Sequence, residues 1–531
     1  LSLYLLLAAV AIITCVFFNK ISGKLGIPVL LAFILLGMLF GAEGLFKINF
    51  DNYAAAQDIS SAALLLIIFY GGFGTKWSEC RPVAVKSVLL STLGVVLTAG
   101  IVGLFCYGIL KITLLEGFLI GAGISSTDFA SVYSVLRSKR LNLKYHTASL
   151  LEIESGSNDT FAYMLTVVLL SLMNGGGSAG QLAYMFFAQI AYGLLFGAVT
   201  AVCAVWVIRK FDFATAGFDA IFVLAVAIFA YAAPACLGGN GYLSVYLVGI
   251  ILGNSDINNK KSLVHFFDGM TGLMQMLLFF LLGLLSTPSR LLAVALPAFV
   301  IFAFLTLVAR PAAVFAVLTP FRSPIRQSLR ASWAGLRGAA SIVFAIMVAL
   351  AVNRTDSDLF HIVFLMVIFS ILIQGSLLPL VARKFDMLDD NADVMKTFTD
   401  YVDEAPVRFI EFTIPPGHAW ADKYLSAIML PPDTILVLIQ RGAQKIIPGG
   451  STVIRAGDVL VLSAKAPCRF LGTRLYEKTV GEGDAWENRA ISEIIKNPGL
   501  LIVMVKRGDT VLIPKGDTIL KAGDVLVMHR S

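Results

Sequence analysis

Residues 147–174 read TASLLEIESGSNDTFAYMLTVVLLSLMN, an apolar run long enough to cross a bilayer that nevertheless carries Glu152, Glu154, Asn158 and Asp159. An ionised side chain at the bilayer centre costs at least about 2.5–3.5 kcal/mol, so three carboxylates in one span must be paired, hydrated or protonatable. The pattern predicts an ion site inside a membrane helix.

The composition around that stretch is that of a polytopic membrane protein: of 531 residues, 58% are apolar and only 14% are charged. The formal charge of +7 is unevenly spread, with 24 Lys and Arg against 15 Asp and Glu in residues 1–384, and 17 against 19 in residues 385–531. The basic excess belongs to the membrane part, where it speaks for loop topology and against a nucleic-acid partner. Cys15, Cys80, Cys106, Cys203, Cys236 and Cys468 are scattered without a CxxC pair and read as small core residues, not as a disulfide or metal framework. Residues 1–18 lack a basic lead and a small-residue cleavage site, so they read as a first membrane helix and not as a signal peptide.

Apolar windows separated by short polar breaks predict thirteen spans, at 1–18, 26–42, 59–75, 86–110, 115–136, 147–174, 180–208, 217–237, 241–254, 266–287, 291–318, 327–352 and 359–382. An odd number puts the termini on opposite sides. With the N-terminus outside, the cytoplasmic loops collect 18 basic residues, and the other side keeps Lys47, Lys111, Arg290 and Arg354. Arg310 and Arg337 fall within helices. Rich and poor loops alternate along the whole chain, which predicts a cytoplasmic C-terminus and a plasma-membrane protein.

An acidic linker is expected over 386–404, and beyond it the chain repeats itself. Residues 411–464 align without a gap onto 477–530 at an offset of 66, with 21 of 54 positions identical. The best-matched parts are ILVLIQRGAQKIIPGGSTVIRAGDVLVL (435–462) and LIVMVKRGDTVLIPKGDTILKAGDVLVM (501–528). Each copy has β-rich apolar runs, an RG turn, an AGD turn before a final strand, and a short helical pattern upstream, around 421–429 and 487–495. The predicted architecture is an all-α membrane domain (1–385) followed by two small α+β modules (405–468 and 469–531). The modules resemble the TrkA-C subdomain of potassium-conductance regulators. The nucleotide-binding half of that family, with its GxGxxG, has no counterpart here, so a Rossmann-bound cofactor is not expected.

Two further spans are interrupted by small residues. The fifth contains GAGISSTDFASVYSV, with Thr127 and Asp128 mid-membrane, and the twelfth contains SWAGLRGAASIVFA, with glycines flanking Arg337. Such breaks seven spans apart are what an inverted repeat of spans 1–6 and 8–13 produces, and they would offer hydroxyls and freed carbonyls to a cation. Arg310 and Arg337 are the available buried partners for Glu154, either of which would neutralise it and leave Asp159 and Asp128 as the titratable pair. Glu152, two residues from Glu154, lies on another face.

The motifs SSTDFAS, ESGSNDTF and GLRGAAS, on the fifth, sixth and twelfth of thirteen spans, resemble the NhaP-type monovalent cation:proton antiporters. The resemblance covers about 1–385. It implies a homodimer in the bilayer, no enzymatic activity, no cofactor, and elevator-like exchange of K+ or Na+ for H+. Carried over residue by residue, it implies that Asp159 binds cation or proton, with Asn158 beside it and Asp128 and Thr127 on the crossing helix. It further implies that Ser155 is a hydroxyl ligand and Glu154 a structural ion-pair partner. Asn158 in place of a second aspartate implies electroneutral exchange. Phe129 stands where relatives often have proline, and Tyr70 where they often have an acid before GG.

The tail and the Asn158–Asp159 pair together predict K+/H+ exchange gated by a small ligand such as a cyclic dinucleotide. The rival readings are an Na+/H+ antiporter, a ligand-gated channel, and a non-transporting sensor. The channel is disfavoured by the lack of a TVGYG-type filter, and the sensor leaves Asp128 and Asp159 without a purpose.

Overall fold

Polar residues between the apolar runs become helix caps. The computed structural model describes residues 9–18, 29–128, 132, 147–211, 217–257, 259–351 and 358–384 of the membrane part. In the tail it describes 407–428, 430, 434–442, 444–465, 475–481, 483–494, 500–507, 510–512 and 514–530. Phe129, His146, the linker 386–404 and Cys468 lie outside the described residues.

Each of the thirteen windows contains a helix. In chain order they are α1 (Ala9–Phe18), α2 (Val29–Phe40), α3 (Tyr53–Gly74), α4 (Trp77–Leu110), α5 (Leu114–Ser125), α6 (Thr147–Met173) and α7 (Ala179–Lys210). There follow α8 (Phe218–Ala235), α9 (Gly241–Asn254), α10 (Lys260–Leu285) and α11 (Pro288–Phe321). The twelfth span is split into α12 (Ile325–Trp333) and α13 (Ala339–Ala351), and α14 (Leu359–Leu378) is the last. Among the described residues, seven helices are long and apolar enough to cross a membrane: α3, α4, α7, α8, α10, α11 and α14.

The starts are set by side chains. Asn52 accepts from the Ala55 amide at 3.0 Å, Asn240 from Leu243 at 3.1 Å, and Ser178 and Gln181 form a capping box. In the bilayer these orphan amides would otherwise have no partner. Where helices touch, small residues let the backbones approach: on α2 and α10, Gly37 and Gly283 face each other, and a Cβ on either would collide with the other's main chain.

Two kinds of irregularity recur seven spans apart, the spacing expected of an inverted repeat. α4 and α11, seven spans apart, each contain a π-helical turn, at Leu90–Gly94 and Leu305–Ala309. The fifth and twelfth spans are both broken, since helix gives way to extended backbone at Ser126 and to non-helical backbone over 335–338. One expectation needs correction. Arg330, one of the 18 basic residues assigned to cytoplasmic loops from the sequence, lies in α12 and is only 1% exposed, so the described membrane part has three fully buried arginines, Arg310, Arg330 and Arg337. The loop count could not see this because α12 is a short, strongly amphipathic helix that hides the arginine on its inner face.

The chain divides into two units, 1–402 and 403–531. The second holds two four-stranded antiparallel sheets of identical topology. One has order β1 (Val407–Thr413), β4 (Val459–Lys465), β2 (Thr434–Arg441), β3 (Gln444–Ile446). The other has order β5 (Leu475–Thr479), β8 (Val525–Arg530), β6 (Leu500–Arg507), β7 (Thr510–Leu512). The 66-residue offset extends to detail. A register shift falls between Leu436 and Leu438 in one copy and between Ile502 and Met504 in the other. The cores match position for position, Leu436, Ile439, Leu460 and Leu462 against Ile502, Val505, Leu526 and Met528. The glycine of each AGD turn takes positive φ, +87° at Gly457 and +86° at Gly523, which allows the tight reversal into the last strand. The helical patterns upstream shrink to single turns, Leu425–Ala427 and Ile491–Ile494.

Candidate functional site

The two broken spans cross beside α6. After Ser125 the helix ends and the backbone is non-helical through Asp128, whose amide donates to the Leu336 carbonyl at 2.8 Å, joining one break directly to the other. Arg337 then reaches back: its Nη1 donates to the carbonyls of Ser125 (2.8 Å) and Ser126 (2.6 Å), and its own amide is received by the Ser370 hydroxyl at 2.9 Å. A guanidinium at the carboxyl end of a half-helix answers the negative end of its dipole. The carbonyls that the break was expected to offer a cation are thus taken by Arg337, because an orphan carbonyl in a dry interior binds the nearest fixed donor.

The sixth helix supplies the other half. The Ser155 hydroxyl donates to the Thr127 carbonyl at 2.6 Å, and the Asn158 amide nitrogen donates to the Thr127 hydroxyl at 2.6 Å. Arg310 and Glu154, each side chain at most 2% exposed, pair at 2.6 Å, and the same guanidinium nitrogen reaches the Ala331 carbonyl at 3.3 Å. Gly335 makes room for this arginine, since a Cβ there would sit 2.9 Å from its Nε. Of the two arginines open to Glu154 in the sequence, the geometry pairs it with Arg310.

Asp159 and Asp128 face a common small cavity of about 30 Å3 that Ser126, Thr127, Gly338 and Gln275 of α10 also line. The Ser126 hydroxyl and the Asp128 carboxyl are the polar neighbours of Asp159, and its Oδ1 is buried without a hydrogen bond. Gly338 stands against the Asp128 carboxyl so closely that any Cβ would overlap it. Asp159, Asp128, Thr127 and, through Thr127, Asn158 and Ser155 are thereby brought together. Glu154, Arg310 and Arg337 stand behind them. Gln275 was missed from the sequence, although it is the lone amide in the apolar run 272–285. Tyr70 is not among the residues that line the cavity and donates to Asp268 on α10 at 3.1 Å.

A family model described as sodium/hydrogen exchanger, transmembrane, matches residues 6–384. The chain belongs to the sodium/hydrogen exchanger family. It is therefore a multi-pass membrane transporter, and the TrkA-C domain model matches its tail twice, at 409–467 and 475–528. The K(+)/H(+) antiporter NhaP2 of Shewanella oneidensis is 33% identical over 463 residues, covering 86% of this chain and 80% of the relative. The K(+)/H(+) antiporter NhaP of Alkalimonas amylolytica is 33% identical over 479 residues, covering 89% and 83%. The solved sodium proton antiporter MjNhaP1 of Methanocaldococcus jannaschii superposes with a TM-score of 0.65 at 23% identity, covering 72% of this chain and 99% of its own, a likeness of fold.

Proposed function

We propose that this exchanger carries K+, with Na+ as a second cation, against H+ by alternating access, one for one, at Asp159 and Asp128. The observation that carries the reading is the shared cavity. Both carboxylates open onto it, while Arg310 is committed to Glu154 and Arg337 to backbone carbonyls. Cation and proton compete for the same oxygens. The bare carboxylate is costly to move through the apolar barrier, whereas either loaded form is close to neutral and can cross, so two opposite fluxes are coupled without ATP. Asn158, a neutral amide spent on Thr127, adds no charge to this cycle and supports electroneutrality. The preference for K+ rests on the names of the two relatives and on the potassium-regulator-like tail, whose modules we take to gate transport on binding a small ligand.

The test is transport in proteoliposomes carrying a pH-sensitive dye. K+ added outside should collapse an imposed proton gradient without generating a membrane potential, and Asp159→Asn should reduce the signal to that of empty vesicles. Activity with Na+ alone would replace the K+ assignment by Na+/H+ antiport, and a net cation flux that sets up a membrane potential and moves no proton would replace exchange by a channel.

A further inference from the structure

Glu152 is the one carboxylate of the opening stretch that the site does not use. It stands seven residues before Asp159, so the two share a face of α6 about two turns, or roughly 10 Å, apart. Gly156 lies between them on that face. The ring of Tyr246, from α9, fills the space that the glycine leaves: a Cβ on Gly156 would be 2.7 Å from the Tyr246 hydroxyl and 2.5 Å from its ring. Tyr246 is 5% exposed, and its buried hydroxyl lies beside Thr75 and within electrostatic reach of Glu152, Cys80 and Asp159. The Thr75 hydroxyl also stands beside Glu152. It donates to the Gly71 carbonyl at 2.8 Å, which leaves its lone pairs available, and the Thr75 carbonyl is held by Asn254 at 2.8 Å. Among the described residues, the charged groups that act on Glu152 are Lys76 and Glu79, which pair at 3.6 Å where the chain leaves α3.

We propose that Glu152, Thr75 and Tyr246 form a proton relay that connects Asp159 to the membrane face bearing Lys76 and Glu79. A buried hydroxyl set in the space over Gly156, between two carboxyls on one helix face, is placed to bond to either side in turn, accepting a proton from one while donating its own to the other. Glu152 loses a proton, Asp159 gains one, and the tyrosine ends neutral as it began. The cation's cavity is lined by Ser126, Thr127 and Gln275 and by none of Glu152, Thr75 and Tyr246, so the relay is separate from it. Glu152 and Tyr246 are positioning residues for the proton, outside the cation's coordination.

The proposal rests on the antiport reading, and the test separates the two. Full-length protein in proteoliposomes is assayed in two modes: cation-for-proton exchange across a pH series, and isotopic cation-for-cation exchange, which moves no proton. Glu152→Gln should slow the first at least tenfold and leave the second within twofold of wild type, and Glu152→Asp should restore most of the lost rate. Tyr246→Phe, which removes only the hydroxyl, should slow the first mode several-fold, and it decides the matter if Glu152→Gln does not fold. A wild-type pH profile in both variants, or equal loss of both modes, would overturn the relay. Wild-type protein without any cation-for-proton exchange would defeat the antiport reading, and the relay with it.

Discussion

Arg310 and Glu154 form an ion pair from which water is excluded, so removing one partner costs more than removing both. Glu154→Met leaves a buried guanidinium whose Nη2 keeps, among the described residues, the Ala331 carbonyl as its acceptor, and should destabilise the fold by about 3–5 kcal/mol. Replacing both residues by methionine should recover most of that loss. Thermal unfolding in detergent reads both, and a single variant as stable as wild type would show that the pair holds nothing together. That a carboxylate at 154 needs an arginine was legible from the price of a membrane charge. Which arginine was not legible, because the answer depends on the π-helical turn at Leu305–Ala309 that re-aims Arg310, and a π turn leaves no reliable mark in composition. Gln275 escaped for a related reason: one amide among aliphatic residues acquires meaning only when the rest of the cavity's lining is known.

At the scale of elements, the tail modules repeat one device. Arg441 grips Asp458 through two nitrogens at 2.8 and 2.7 Å, and Arg507 grips Asp524 at the same distances. In each, the arginine's hydrogen bonds hold the aspartate below the usual carboxylate range. A group whose pKa is depressed by folding contributes stability that is fully present above its unfolded value of about 3.9 and is lost as pH falls through the lower folded value. The modules should therefore be insensitive to pH between 7 and 5 and weaken below about pH 4. Asp458→Asn should remove this acid response from the first module only, at a cost of about 2 kcal/mol at neutral pH. Hydrogen exchange of β2 and β4 in the full chain, with β6 and β8 as the internal standard, would register it. Equal exchange of the two copies in the variant would count against the pair as a stabilising element. The RG and AGD turns that carry these residues were visible in the sequence because a duplication doubles the signal. The crossing of the broken spans was legible only as small residues in two places. That Arg337 would occupy the carbonyls of Ser125 and Ser126 is a matter of side-chain reach, which spacing along the chain does not encode.

For the molecule as a whole, the bilayer made the membrane part readable. A solvent that forbids unsatisfied backbone leaves the helix as the default, and all thirteen windows hold one. Regulation is a claim at this scale too. Removing residues 400–531 should preserve exchange while changing its pH profile or its response to a cyclic dinucleotide, and a truncated protein that matches the full chain in rate, pH profile and ligand response would take the tail out of regulation. The contact between Gly338 and Asp128 has a consequence for inheritance. Gly338 does not take positive φ, so its backbone would accept other residues, and what bars them is the carboxyl beside it. In a saturation screen for growth under cation stress, position 338 should tolerate glycine alone, whereas Gly71, Gly74, Gly100 and Gly108, with open space where a Cβ would go, should tolerate many residues. Lineages that lose the aspartate at 128 should then be free to drift at 338, and the two positions should change together or not at all.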